Sequence, residues 1–209
     1  MRARKRMWIM AAAVIATAAA MSMMLATNAQ AQNLASSFNH PAVGLRAGLN
    51  LVPTPFGQFS GSVNTPIGTI SGSADTAFAF GLCPYADYAF HPNFFVGFAP
   101  QFTFHVKAKD ANDSGSQLDL LIRAGANAPI ADTLQLYGYV APGYSVLMPP
   151  HGDNATGFVL GFHGGAMLAL TDRAYANFEL GYQFGFQSVS SGDAKTDLFQ
   201  FGLGIGTRI

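Results

Sequence analysis

Apolar and polar side chains alternate with a period of two along most of the chain after residue 42. Successive side chains of a β-strand point to opposite faces, so this pattern predicts strands with one apolar and one polar face. Four stretches are regular and begin near Val43, Val96, Leu118 and Asn177, and three weaker ones cover about 76–90, 134–146 and 157–170. An eighth stretch, at the C-terminal end, is the clearest: Phe199, Phe201, Leu203, Ile205 and Ile209 alternate with Gln200, Gly202, Gly204, Gly206 and Arg208.

The segments between these eight predicted strands alternate in length. Short turns are predicted at 91–93, 129–133 and 171–173, and longer polar segments at 52–75, 107–117, 147–156 and 188–197. This order is typical of a barrel that crosses an outer membrane, with tight periplasmic turns and longer extracellular loops. The predicted fold is therefore all-β, an eight-stranded antiparallel up-and-down transmembrane β-barrel. An even strand count places both ends of the barrel on the periplasmic side.

A soluble eight-stranded barrel of the lipocalin or avidin kind also alternates, but its outer face must carry water. Only 18 of residues 32–209 are Lys, Arg, Asp or Glu, about one tenth, whereas an ordinary domain has about a quarter. The polar face of the predicted strands consists mostly of Gly, Ala, Asn and Gln. Such side chains suit the narrow lumen of a membrane barrel better than a solvated exterior.

Residues 1–31 are predicted to be a cleaved signal peptide. A basic start is followed by an apolar run, and Ala29 and Ala31 fit the small-residue cleavage rule. Cleavage after Ala29 and a retained membrane anchor are the alternatives. Residues 32–41 then form a periplasmic N-terminal segment and residues 42–209 the barrel. Cleavage leaves seven basic and eleven acidic residues, a net charge of −4, which gives no reason to expect nucleic acid as a partner.

The alternating strands and their connections resemble the small outer-membrane β-barrel family, the eight-stranded domains similar to outer-membrane proteins A and X. The resemblance covers nearly all of 42–209. It implies location in the outer membrane of a Gram-negative bacterium after export, in contact with outer-membrane lipid and lipopolysaccharide. It also implies periplasmic chaperones and the barrel-assembly machinery as partners during biogenesis. Its most specific part is the C-terminal assembly strand, represented by Phe199, Phe201, Leu203, Ile205 and Ile209; most members end in Phe or Trp instead of Ile.

Six charged residues share the parity of the polar face and are predicted to form a network in the lumen: Arg46, Asp87, Asp119, Arg123, Glu179 and Arg208. Charges in a low-dielectric tube are costly unless they are paired. The network is therefore interpreted as a structural plug, with a selectivity region in a narrow channel as the alternative. His105 and His163 are also predicted to face the lumen. In the stretch over 134–146, Tyr137 and Tyr139 oppose Leu136 and Val140, which leaves the orientation of that strand open.

The sequence predicts no catalytic, metal or cofactor site. His163 is followed by two glycines and not by the Ser that a lipid A deacylase would need, and no His pair has metal-ligand spacing. The leading hypothesis is a non-enzymatic barrel with a structural or surface-interaction role. The alternatives are a narrow pore or lateral-diffusion channel for small or hydrophobic compounds, similar to outer-membrane protein W, and a lipid A-modifying membrane enzyme.

Two further expectations concern the barrel wall. Pro84 and Pro100 lie eight residues on either side of Pro92, the centre of a three-residue turn, and should therefore fall opposite each other across the hairpin, within one position. Neither proline can donate to a strand pairing, so the wall is expected to be weaker there. The result is expected to be a local bulge, or alternatively a lateral opening, which resembles the proline-framed gap of the lipid A palmitoyltransferase. Tyr88, Phe90, Phe94 and Tyr175 are candidates for the aromatic girdle at the periplasmic rim.

Overall fold

The computed structural model describes residues 43–65, 68–171, 173–189 and 192–209. The chain divides into two units, Met1–Ala35 and Ser36–Ile209, and every described residue belongs to the second. The predicted signal peptide and the predicted N-terminal segment 32–41 therefore lie outside the described residues. Among the residues described, no helix is long and apolar enough to span a bilayer.

Ten β-strands make up the described chain. They are β1 (Gly44–Thr54), β2 (Phe56–Thr65), β3 (Gly68–Asp75), β4 (Ala79–His91), β5 (Phe94–Val106), β6 (Gly115–Ala131), β7 (Leu134–Met148), β8 (Ala155–Ala169), β9 (Ala174–Val189) and β10 (Gly192–Arg208). All pairings are antiparallel. β4 to β10 pair in chain order, β1 pairs with β4 on one side and with β10 on the other, and this closes the sheet into a barrel.

The ten strands occupy eight positions around the barrel. β1 and β2 lie end to end along β10, separated only by Pro55, and β3 and β4 lie end to end opposite them. The hairpin of β2 and β3 therefore extends the β1–β4 pair beyond the closed barrel. The prediction of an eight-stranded antiparallel barrel is confirmed. The segments 52–75 and 188–197, expected to be loops, instead consist mostly of paired strand.

The barrel is apolar outside and polar inside. Large apolar side chains of the alternating positions are exposed on its wall, including Leu51, Ile122, Leu203 and Ile205, the last at 67 %. The intervening positions are buried and polar, as in Arg46, Asn50, Asp119 and Arg123 on β1 and β6. An exposed apolar band over a polar interior is what a bilayer requires of a spanning barrel.

The inside–outside assignment fails at two of the predicted positions. His105 is exposed and not in the lumen, because a bulge between Phe104 and Val106 shifts the register and gives His105 a φ of 61°. Val106 is buried in its place. Tyr175 is buried inside the barrel and is not part of a girdle, whereas Tyr88, Phe90 and Phe94 are exposed on the outer wall.

Pro84 and Pro100 lie opposite each other in the seam between β4 and β5. The pairs Leu82–Phe102 and Ala86–Phe98 flank them in one unchanged register, while the three pairs between are missing. Two prolines that face each other as one pair have no N–H groups, so both backbone hydrogen bonds of that pair are missing. The pairs on either side depend on the same hydrogen bonds and are therefore missing too. The expected bulge is wrong at this position, because the register does not shift. β4 remains paired with β1, and β5 with β6, past both prolines.

Candidate functional site

The periplasmic half of the barrel interior contains an ion-paired group, here called the charge cluster: Arg46, Asp87, Arg123, Glu179 and His163. Arg123 is central, because its guanidinium lies 3.3 Å from Asp87 and 3.9 Å from Glu179. Arg46 lies 3.7 Å from the same Asp87 carboxylate. These four ion-paired residues lie on four different strands, β1, β4, β6 and β9, so the cluster ties the barrel wall together across its lumen.

Glu179 has the richest set of partners in the charge cluster. Its Oε2 accepts a hydrogen bond from the Tyr137 hydroxyl at 3.0 Å, and its Oε1 accepts one from Tyr139 at 2.7 Å. Nδ1 of His163 lies 3.1 Å from Oε1. The His163 ring stacks on Tyr139 with centroids 4.7 Å apart. Both tyrosines, whose orientation the sequence left open, therefore point inward and hold a buried carboxylate that would be costly without donors.

Aromatic rings enclose the arginines of the charge cluster. The Arg123 guanidinium lies 4.1 Å from the ring centroid of Tyr139 and 4.6 Å from that of Tyr85, and Arg46 lies 4.8 Å from that of Phe95. Cations over ring faces gain additional attraction where water is excluded. Tyr85 also donates to the Tyr175 hydroxyl at 3.0 Å. Aromatic side chains thus fill the space that the charged groups leave.

Two glycines make room for these tyrosines. A Cβ added at Gly48 would lie 2.5 Å from the Tyr85 hydroxyl, and one added at Gly206 would lie 2.5 Å from the Tyr175 ring. Close approach of a neighbouring group is one of the positional reasons for glycine in a strand. The glycine run 202–206 therefore faces a crowded lumen, as the alternation predicts.

The extracellular half of the interior contains uncharged polar side chains around one carboxylate. We call this group the polar belt: Thr54, Gln101, Thr103, Gln117, Asp119, Ser145, Gln183, Gln187, Thr196 and Gln200, all buried. Asp119 accepts from Gln117 Nε2 at 2.9 and 3.0 Å and from Gln183 Nε2 at 2.7 Å. Gln187 Nε2 donates to Ser145 and to Thr196. The belt spans β1, β5, β6, β7, β9 and β10.

The structure brings four of the six predicted lumen charges together, namely Arg46, Asp87, Arg123 and Glu179. Asp119 lies in the polar belt instead, and Arg208 is half-buried at the periplasmic end of β10. Sequence reasoning placed His163 in the lumen without joining it to these charges, and it missed Tyr85 and Tyr139, whose rings contact Arg123. Parity was the available signal, because Tyr85 shares the lumen face of β4 with Asp87, and Tyr139 shares that of β7 with Gln135 and Ser145.

The interior chemistry is that of a filled core. Side chains at the periplasmic, middle and extracellular levels, such as Phe95, Arg123 and Gln117, are no more than 2 % exposed. Within the described ranges, no group of three or more His, Cys, Asp or Glu residues is placed to hold a metal ion. Cys83, on the lumen face of β4, is buried and unbonded to another cysteine.

Comparison with known families agrees with this geometry. Residues 17–206 match the family described as outer membrane protein beta-barrel domain, which covers most of the chain. The chain belongs to this family. Its members reside in the outer membrane of Gram-negative bacteria, and this protein is located there. No curated protein matches the sequence.

Solved structures with the same architecture are distant in sequence. The outer membrane protein OprG from Pseudomonas aeruginosa is 14 % identical, with a TM-score of 0.54 over 79 % of this chain and 95 % of that one. Neisserial surface protein A is 14 % identical, with a TM-score of 0.51 over 79 % of this chain and 97 % of that one. At such identities the similarity shows the fold alone.

Proposed function

We propose that this protein is a non-enzymatic outer-membrane barrel with a structural or surface-interaction role. The observation that carries the proposal is the filled lumen. Charge cluster and polar belt succeed each other along the axis, and their side chains are almost completely shielded from solvent. An eight-stranded barrel has an interior only wide enough for side chains. Its useful surfaces are then the outer wall and the extracellular end.

The extracellular end supports the surface-interaction part of the proposal. β10 pairs with β9 on one edge and with β2 on the other, and β2 pairs with β3, so four strands continue beyond the membrane wall as one sheet. All eight residues of β3 are exposed. This extracellular sheet is the surface that would contact lipopolysaccharide and an extracellular partner. The apolar wall contacts lipid, and the outward face of β10 is the segment offered to periplasmic chaperones and the assembly machinery.

Single-channel recording tests the sealed lumen. The purified barrel is inserted into planar lipid bilayers, and we expect no stepwise conductance at physiological salt. A variant with Arg123→Ala, Tyr139→Ala, Gln117→Ala and Gln183→Ala shortens large side chains at both levels of the lumen. It is expected to pass ions, and its conductance confirms that inserted barrels are detected. Reproducible conductance of the unaltered barrel would refute the sealed lumen and favour a narrow pore.

A complementation experiment separates the structural from the surface role. Cells that lack the protein receive either the full chain or a variant in which the β2–β3 hairpin is shortened to a tight turn. Restored resistance to detergent by both forms indicates a structural role. Restoration by the full chain alone indicates that the hairpin binds a partner. Gel mobility before and after heating checks that both forms are folded.

A second candidate function is lateral entry of hydrophobic compounds from the membrane into the wall. The observation that favours it is the seam at Pro84 and Pro100, where three consecutive pairs are missing between β4 and β5. Both prolines lie on the lipid-facing parity. Cys83, the only cysteine of the chain, lies beside Pro84 and points inward. An opening of this seam would therefore expose the Cys83 thiol to molecules dissolved in the bilayer.

Alkylation of Cys83 tests the seam. In lipid vesicles, a lipid-soluble maleimide is expected to label Cys83 faster than a charged, water-soluble one. Pro84→Val with Pro100→Val restores two donors and should slow labelling and unfolding together. Pro129→Val is the control, because Pro129 is paired with Gln135 in a different seam, near the periplasmic turn, where a register shift follows it. Equal labelling of the unaltered barrel and the double variant would refute the lateral opening, and faster unfolding of the double variant would contradict a weakened seam.

A further inference from the structure

Asp119 differs from the other buried carboxylates because its hydrogen-bond partners are uncharged. Two glutamine amides donate to it, and its cross-strand partner on β7 is the uncharged Ser145. Among the residues that the structure describes, no Lys, Arg or His nitrogen forms an ion pair with Asp119. Arg123 is four residues away along β6, about 13 Å at the rise of an extended strand, and it is engaged by Asp87 and Glu179.

The glutamines around Asp119 leave acceptor oxygens without donors. The amide group that faces a carboxylate must be the NH₂, because a carboxylate accepts only, and this fixes the orientation of Gln117 and Gln183. Their Oε1 atoms are buried and have no hydrogen-bond partner. Since Oε1 is held rigidly beside Nε2 in the same planar amide, each lies within about 5 Å of the Asp119 carboxylate. Gln187 also has a buried, unpartnered Oε1, and Gln200 has both its Oε1 and its Nε2 buried and unpartnered, so unpartnered acceptors outnumber donors among these glutamines.

The polar belt therefore has one negative charge, a surplus of oxygen acceptors and no cationic side chain. We propose that it binds one monovalent alkali cation, coordinated by Asp119 and by the amide oxygens of Gln117 and Gln183. A buried acceptor without a donor costs free energy, and a buried charge without a counter-charge costs more. A bound cation resolves both at once, because carbonyl and carboxylate oxygens are the ligands that hard cations prefer.

The charge of the site selects the class of cation. One Na⁺ or K⁺ neutralises one carboxylate, whereas a divalent ion would leave an excess positive charge in the barrel interior. Water alone can supply donors to the amide oxygens, but it leaves the carboxylate charge uncompensated. Protonation of Asp119 removes the charge, but it places an O–H among groups that already donate to both carboxylate oxygens. A bound cation leaves the glutamine Nε2 donors on Asp119 in place, coordinates the unpartnered Oε1 atoms and neutralises the carboxylate charge.

Cation-dependent stability tests the site. The purified full-length barrel is unfolded with urea in vesicles of uncharged lipid. Na⁺ is exchanged against N-methylglucammonium at constant ionic strength, and circular dichroism follows unfolding. Above the dissociation constant, the folding equilibrium constant is expected to rise about tenfold for each tenfold rise in Na⁺. Asp119→Asn should abolish this dependence. Asp113→Asn, at an exposed carboxylate outside the belt, should retain it.

Two further measurements separate the outcomes. Crystals soaked in Rb⁺ are expected to show an anomalous peak between Asp119, Gln117 and Gln183, which needs no variant. Gln183→Leu should weaken binding and shift the Na⁺ dependence to higher concentration, and this serves if Asp119→Asn does not fold. No Na⁺ or K⁺ dependence together with a more stable Asp119→Asn barrel would overturn the proposal in favour of a neutral or hydrated carboxyl group. Stabilisation by Ca²⁺ alone would overturn the monovalent assignment.

Discussion

Replacement of Arg123 by Met tests how far the charge cluster supports the barrel. Methionine keeps much of the length and the contact with Tyr139 and Tyr85, but it removes the charge that faces Asp87 at 3.3 Å and Glu179 at 3.9 Å. Breaking a buried ion pair costs about 3–5 kcal/mol, since a charge remains buried without its partner. Asp87 retains Arg46, and Glu179 retains His163 and two tyrosine hydroxyls. We therefore expect a loss near the lower limit, about 3 kcal/mol.

The excess negative charge, and not the lost packing, should account for most of this loss. Asp87→Asn in the Arg123→Met background removes that charge, so the double variant should be less destabilised than the sum of the single variants. Contacting residues in one network typically couple by about 0.5–3 kcal/mol, and we expect a coupling in the upper part of that range. Gln187→Met, in the polar belt, is a size-matched control that should not couple to Asp87→Asn.

Reversible urea unfolding in lipid vesicles measures these free energies. The only tryptophan of the chain is Trp8, in the predicted signal peptide, so circular dichroism and the mobility of unheated samples on gels replace tryptophan fluorescence. Additive effects of Arg123→Met and Asp87→Asn would refute the argument, because they would mean that the two groups stabilise the barrel independently. A loss below about 1 kcal/mol for Arg123→Met would mean that water reaches the cluster and screens it.

Three further pairs of substitutions test the wall, the glycine positions and the bulge at His105. Leu203→Arg, on the lipid-facing wall, should cost about 2–4 kcal/mol, whereas Ile209→Arg at the rim should cost about 0–1 kcal/mol; equal costs in vesicle unfolding would contradict the assignment of depth. Gly206→Val should cost about 1–3 kcal/mol because its Cβ meets the Tyr175 ring, while Gly72→Val, with open space around its Cβ, should be nearly neutral. His105→Gly should be tolerated better than His105→Val, because a β-branched residue is strained at a φ of 61°; thermal unfolding with the opposite order would refute the bulge.

The barrel and its two faces were predictable because lipid imposes period two on every spanning strand. The pattern is lost where that constraint ends. Residues 56–65 and 192–197 are rich in Gly, Ser, Thr and Asp, and the sequence indicated loops, yet they pair as β2 and the start of β10. Beyond the membrane no lipid contacts these strands, so pairing with a neighbour leaves no apolar signature. His105 was misassigned for a similar reason, since a single bulge reverses the parity.

The members of the charge cluster were predictable by parity, but their partners were not. Which lumen residues meet depends on the stagger between strands, and one sequence does not contain that quantity. Arg123 and Asp119 share a strand and a face, yet they belong to different groups, because Asp87 and Glu179 happen to lie level with Arg123. The proline seam is the opposite case. Pro84 and Pro100 belong to one short hairpin, whose turn fixes their register locally.

The pairing of β1 with β10 has a consequence for how the barrel is made. Leu51 and Leu203 are partners in that pairing, so the last seam joins chain segments about 150 residues apart. Contacts at such separation form late, because the loop-closure entropy must be overcome first. Until β10 arrives, β1 presents an open edge that can pair with another chain. Nascent or truncated chains that lack the final seventeen residues of strand, Gly192–Arg208, should therefore be prone to aggregation and to periplasmic proteolysis.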